Sequence, residues 1–567
     1  MVINYKDRKT ISGEDEEAID EFLAGKERWN VYVGKHGDDT EVDFSGVDFS
    51  KHRKGKGEFN FSGYLFPKEG NVNFFRSIFG DGGVNFTFAN FGQGVSFMGA
   101  NFGEGNVDFS DAQLGAYLTE FRSTIFGKGE VNFNRAKFGK GDADFSDAQF
   151  GEGDVNFRIA NFGERDVDFS GAQFGEGNVD FRIANFGKGD VYFCNVNFGD
   201  GYVNFDKAKF LGKGFVSFKE AVFGDGDIGF CKAKFGKGAV KFNRAQFGDG
   251  DISFFKTKFG KGAVKFNRAQ FGDGDISFFK TKFGKGAVKF NRAQFGDGSV
   301  EFKGAKFGNG TLNFEHCEFK GYVSFQSMTE TKTLSKFSLR HSSFDKSLDI
   351  SDNTFNCIPD LTNTKLTNQV SLDRMEISDD YPLEGDFNKS DGERLCRLKE
   401  LAEANKSHEQ ALDLHVIEMR AKRDIRMRDK QDKIKNQNTK GKKLRIYLDK
   451  IFDVVCIYGQ SIIRPVLWLL GLTLLFTCIY TSMSIVQHTP GHWCDWIDRF
   501  FIGLLYSLSQ VFPFVSAGRN SAADSLNQLF PCETIPGWFY FLSIFQGVLS
   551  FIFLFLIGLG LRNRFRL

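Results

Sequence analysis

Residues 239–262 read AVKFNRAQFGDGDISFFKTKFGKG, and residues 263–286 read the same letters again. The first half of the block returns once more at 287–298. A duplication of this size is tolerated when it inserts one whole turn of a coil, because everything downstream then keeps its orientation. The block therefore predicts a solenoid of roughly 24 residues per coil.

Working outward, the same rhythm runs from about Val42 to Phe325. Phenylalanines fall at 133, 138, 145, 150, 157, 162, 169 and 174, with spacing that alternates between five and seven. Val or Ala precedes most of them by two residues, as in Val167-Asp168-Phe169. Residues two apart in an extended segment point to one side, so Val/Ala and Phe fill the interior while Gly-x-Gly turns the corners. No coil buries its Phe alone, so neighbouring coils stabilise each other. Val42-Asp43-Phe44-Ser45-Gly46 followed by Val47-Asp48-Phe49-Ser50 resembles the pentapeptide-repeat family, whose units read A-[DN]-[LF]-x-x. The resemblance implies a right-handed quadrilateral β-helix. About twelve such coils stacked at about 4.8 Å would be roughly 55–60 Å long. Ser12 with Asp15 reads as a capping box before a helix from about Glu14 to Trp29. The expected domains are an N-terminal helical cap (1–41), the solenoid (42–325), degenerate final coils (326–390), a basic helical connector (391–450) and a membrane domain (451–567).

Composition agrees with a copied motif: the 567 residues include 71 Phe and 65 Gly but only 8 Pro. The formal net charge is +1, which argues against a simple nucleic-acid-binding tail. The nine cysteines form no CxxC or Cys/His cluster, so no metal site is expected. No nucleophile–base pair or phosphate loop stands out, and the chain reads as a non-enzyme with no cofactor. The polar start, Met1 to Thr10, is not a signal peptide, which places the repeats in the cytoplasm.

Charge segregates along the repeat. Lys188, Lys213, Lys237, Lys261 and Lys285 recur one coil apart, and Asp200, Asp225, Asp249, Asp273 and Asp297 recur half a coil away. Arg244, Arg268 and Arg292 form another basic column. Three readings stand: a soluble surface copied with the duplication, packing of Lys edge against Asp edge in an oligomer, or an anionic ligand such as a nucleotide or oligonucleotide. For the last, the candidate residues are Arg244, Arg268, Arg292, Lys237, Lys261 and Lys285. Pentapeptide-repeat proteins include topoisomerase-binding DNA mimics, but those need a broadly acidic surface, and here the signs alternate.

Glu393 to Asn436 contains no Gly or Pro and has helical apolar spacing, with a break near Asn405-Lys406-Ser407. Its second half is basic, which suits positive-inside topology and anionic lipid. His408 and His415 read as surface histidines. Pro465–Ile485 and Trp538–Leu561 are apolar runs long enough to span a bilayer. Arg464, Arg562, Arg564 and Arg566 flank them and put both termini on the cytoplasmic side, with the inter-span loop periplasmic. Between the spans, a shorter stretch at about 497–514 fits a re-entrant helix. The order span, short helix, loop, span is similar to two-helix pore-loop channels. Ser507, Ser509, Gln510, Phe512 and Pro513 are then the pore-lining candidates, although no potassium-type filter follows. Cys494 and Cys532 lie in the same inter-span segment and would form a disulfide there if it is periplasmic.

The layout resembles bacterial inner-membrane proteins with pentapeptide repeats before a two-span domain, and anti-phage membrane effectors gated by a nucleotide or oligonucleotide. It implies an oligomeric channel, a homotetramer by analogy with two-helix channels, whose partners are the lipid bilayer, further copies of itself, and a ligand or protein on the solenoid. The alternatives are a membrane-anchored interaction scaffold without a pore and a topoisomerase-binding DNA mimic.

Overall fold

A computed structural model describes residues 9–565 apart from 54, 56, 309, 379–380, 382–386, 434–439, 488–492, 513–515, 531–534 and 536. The chain divides into two compact units, 1–381 and 382–567.

The first unit is a parallel β-solenoid of about 13 coils, each about 24 residues long. Four ladders run along it. In the duplicated region Val240 pairs with Val264 and Val264 with Val288, Gln246 with Gln270, Ile252 with Ile276, and Lys258 with Lys282. Two of the ladders are continuous 14-stranded sheets. The interior is a stack of phenylalanines. Phe266 lies 4.6 Å from Phe242 and 4.6 Å from Phe290, stacked nearly parallel to both, and edge-on to Phe254 at 6.0 Å.

The polar residue between Val and Phe has a structural task. The side chain of Asp108 accepts from the Ser110 N–H, and that of Asn132 from the Asn134 N–H, which closes the turn after each Phe. The next residue takes a left-handed conformation even where it is not glycine, as at Arg244 (φ 59°). Its cost is offset because the Arg244 N–H donates to Asn267 O in the next coil at 3.0 Å.

The corners admit no side chain at certain glycines. A Cβ at Gly141 would lie 1.1 Å from the carbonyl oxygen of Tyr117, whereas nothing lies within 4 Å of one at Gly34. Gly141→Ala is expected to destabilise the solenoid strongly. Gly34→Ala, inside a helix, should stabilise it by about 1 kcal/mol; parallel thermal melts check both.

The N-terminal cap differs from its expected form. A strand, Thr10–Ser12, precedes the helices and pairs with Glu41–Asp43, so the ladder begins earlier and gains a coil. The expected single helix is two, α1 (Glu16–Leu23) and α2 (Lys26–His36), broken at Gly25, whose φ of 110° no helix accommodates. Asp15, not Ser12, is the N-cap, accepting from the Glu17 N–H. Phe22 of α1 plugs the open end of the core, stacking on Phe61 at 4.4 Å.

The second unit is helical. α3 (Asp391–Ala404) and α4 (His408–Lys433) form a hairpin, followed by α5 (Lys440–Cys456), α6 (Ile463–Gln487), α7 (Trp493–Val511), α8 (Ser516–Leu529) and α9 (Gly537–Arg564). α7 begins four residues before the helix expected at about 497–514 and ends at Val511. α8 occupies a stretch expected to be loop, with Ala522 and Leu526 packing on the aromatic cluster of Phe476, Tyr480, Tyr506 and Phe539.

Candidate functional site

Three features of the structure bear on function: the charged faces of the solenoid, a polar seam among the apolar helices, and the elbow between α5 and α6.

On the solenoid, Lys188, Lys213, Lys237, Lys261 and Lys285 are all exposed, as are Asp200, Asp225, Asp249, Asp273 and Asp297. The coil register stacks each set into a column. Arg244, Arg268 and Arg292 are exposed on left-handed turns, and Arg244 is paired with Glu220 at 3.0 Å. The sequence reading missed a further lysine column. Lys209, Lys234, Lys258, Lys282 and Lys306 are bridge partners in succession along one face. Lys207, Lys232, Lys256 and Lys280 stand beside the first four of them on the preceding turn. The signal was the recurrent K-x-K before each corner Phe, legible once turn and ladder are known to share a side.

Two helices of the second unit, at Ile463–Ser484 and Gly537–Arg564, are long and apolar enough to cross a membrane. Only 28% and 22% of their most apolar windows are buried, so their apolar surface faces outward rather than into a soluble core. This suggests membrane association. Inside, α6, α7 and α9 meet through polar groups. The Tyr480 hydroxyl donates to Gln546 Oε1 at 2.9 Å, and Gln546 Nε2 donates to Ser507 Oγ at 2.7 Å and to Ser507 O at 3.1 Å. The Ser507 hydroxyl in turn donates to Thr473 O at 2.9 Å, and Tyr506 and Ser543 share a bond of 3.0 Å. The hydroxyls of Thr481 and Ser550 are buried in the same seam without a partner. Gln546→Leu removes the central link and is expected to cost about 1–2 kcal/mol, read as a lower melting temperature of the protein in detergent.

Of the pore-lining candidates, Ser507 and Ser509 are buried within one protomer, the latter donating to Tyr506 O at 2.6 Å. Gln510 is half-buried and Phe512 exposed. Pro513 and Cys532 lie outside the described residues, as does the Cys494 side chain, and with them the expected disulfide.

The elbow joins the connector to the first apolar helix. Ile457, Tyr458 and Gly459 are consecutive left-handed residues (φ 49°, 50° and 84°). Asn563 of α9 donates to Gly459 O at 3.1 Å. From α4, Arg420 and Arg423 each reach Asp453 at 2.9 Å, and Arg423 also donates to the Tyr458 hydroxyl at 3.2 Å. Burial alone would raise the Asp453 carboxyl, but the two guanidinium groups outweigh it and hold it below the usual range.

Nearby, Glu418 is 2% exposed and accepts from Lys399 at 2.8 Å and from Lys422, with His415 Nδ1 at 3.5 Å. Burial opposes its ionisation, yet these partners prevail and hold it far below the ordinary carboxylate range. A depressed folded pKa stabilises above the unfolded value and is lost as pH falls through the folded one. The α3–α4 hairpin is therefore expected to hold through mildly acidic pH and to loosen only in strong acid, measured by hydrogen exchange at Leu398 and Leu414. His408 and His415 both line a cleft of about 520 Å3 beside this hairpin. Among the described residues no group of three His, Cys, Asp or Glu side chains is placed to hold a metal.

No family model, no curated protein and no solved structure matches the chain.

Proposed function

We propose that this chain is the protomer of an oligomeric ion-conducting pore in a bacterial inner membrane, with the β-solenoid as its cytoplasmic interaction and sensing arm. The observation that carries the reading is the seam of hydroxyl and amide groups buried among α6, α7 and α9, whose outer surfaces are apolar. Polar groups at membrane depth are costly unless they bond one another or line a water-filled cavity. Two spanning helices enclose no channel by themselves, so several copies must close a ring, a tetramer by analogy with two-helix channels. By analogy of layout with anti-phage membrane effectors, a soluble arm before a two-span domain, the arm would receive a nucleotide, oligonucleotide or protein signal, with Arg244, Arg268 and Arg292 as the anionic contacts. Both termini would be cytoplasmic, and no catalytic step is assigned.

A second reading is a membrane-anchored scaffold without a pore. It is favoured by Ser507, whose hydroxyl is satisfied inside one protomer by Thr473 O of α6 and so acts as glue between helices, and by Ser509, whose hydroxyl is taken up by Tyr506 O of its own helix. Native mass spectrometry of the full chain in lipid nanodiscs separates the two. A small closed ring supports the pore, and a monomer in the bilayer contradicts it and leaves the scaffold.

A further inference from the structure

We propose that the solenoids of neighbouring copies bind side by side, the lysine edge of one against the aspartate edge of the next, forming open rows. The inference goes beyond the pore and does not depend on it.

The two edges are complementary in position as well as in sign. Lys261 and Asp273 are twelve residues apart, half a coil, and so stand at opposite corners of the cross-section. The same holds for Lys237 with Asp249 and for Lys285 with Asp297. The acidic edge is also held rigid. The Asp249, Asp273 and Asp297 N–H groups each donate to the aspartate Oδ1 one coil earlier, at 3.1, 2.9 and 2.9 Å. The carboxylates of Asp225, Asp249 and Asp273 are thus each held through one oxygen, so little side-chain freedom is lost on docking. The basic edge is a column of exposed lysines whose mutual repulsion an opposing charge relieves. The pattern is more than a by-product of the duplication. Lys213, Asp200 and Asp225 continue both columns before residue 239, where the duplicated block begins.

A second copy fits this edge better than a nucleic acid does. Phosphates along one DNA strand advance about 3.4 Å per nucleotide, out of step with a coil rise of about 4.8 Å. The aspartate column of another copy has the same rise as the lysines it faces. Contacts on opposite corners are heterologous and unclosed, so they propagate as a row.

The test uses the full chain in detergent, with particle mass measured across ionic strength. Wild-type protein is expected to form a ladder of masses that shortens as salt rises. The triple variant Lys237→Glu, Lys261→Glu, Lys285→Glu should lose the ladder and leave one mass that salt does not change. Adding Asp249→Lys, Asp273→Lys and Asp297→Lys should restore it. The triple variant keeps its aspartate edge, so mixed with wild type it should cap and shorten wild-type rows, a readout that needs no aspartate change. A wild-type mass unaffected by salt and by the triple variant overturns the proposal. So does a triple variant that loses the ladder but, when mixed, leaves wild-type rows at full length; polyphosphate binding lost in that variant would then point to a free polyanion.

Discussion

Phe266→Asp is expected to split the solenoid into two separately melting halves. Phe266 is fully buried, stacked at 4.6 Å on a phenylalanine on either side. Truncating such a ring costs about 3–5 kcal/mol, and a buried carboxylate without a partner costs more. That is comparable with the whole stability of a typical domain, about 5–15 kcal/mol. In a stacked array each coil touches only its neighbours, so the damage breaks cooperativity locally instead of unfolding the arm as one body. A two-step thermal transition by circular dichroism, with a new protease-sensitive point near residue 266, checks this. Phe255→Ala is the control: its ring is half-buried on the outside, 5.8 Å from Phe279, and the melt should stay a single transition.

The second large effect is expected at Asp453→Ala. The change strips the counter-charge from Arg423, whose side chain is only 4% exposed, and from Arg420. Leaving such a cation buried and unpaired costs about 3–5 kcal/mol. The elbow beside it already holds Ile457 and Tyr458 in left-handed conformations that side chains disfavour. With α4 released, the elbow loses its ion pairs to Arg420 and Arg423 and keeps only its own local backbone bonds, such as Gly459 N–H to Cys456 O at 3.0 Å, and the Asn563 contact from α9. Hydrogen exchange at residues 456–462 should rise by orders of magnitude while the solenoid transition stays where it was. An unchanged elbow would mean that the α4 contact does not fix it.

The solenoid was largely legible because its long-range contacts sit at one fixed distance in sequence. Once the repeat of 239–262 gave the coil length, the pairing of Val240 with Val264 followed. The lysine column at Lys234, Lys258 and Lys282 was missed because its members are anonymous in the sequence until the turn geometry puts them on a face. Gly25 breaking the cap into two helices was hidden by an apolar pattern that continues across it. In the helical unit the decisive contacts have no period. Arg420 and Asp453 are 33 residues apart, Tyr480 and Gln546 are 66 apart, and Gly459 and Asn563 are 104 apart. The length and apolarity of α6 and α9 were readable, but which of their faces carry the seam was not. Ser507 and Ser509 stood out as hydroxyls in an apolar stretch, and only the packing shows that they turn inward.

The central claim is that the helical unit conducts. Its most direct measurement is current across a planar bilayer from full-length protein confirmed as a closed ring, beside a version lacking residues 493–529. Discrete steps in the first that are absent from the second are predicted. No steps from the full-length ring, and none from residues 382–567 alone shown to form the same ring, would contradict the pore and leave an anchored solenoid.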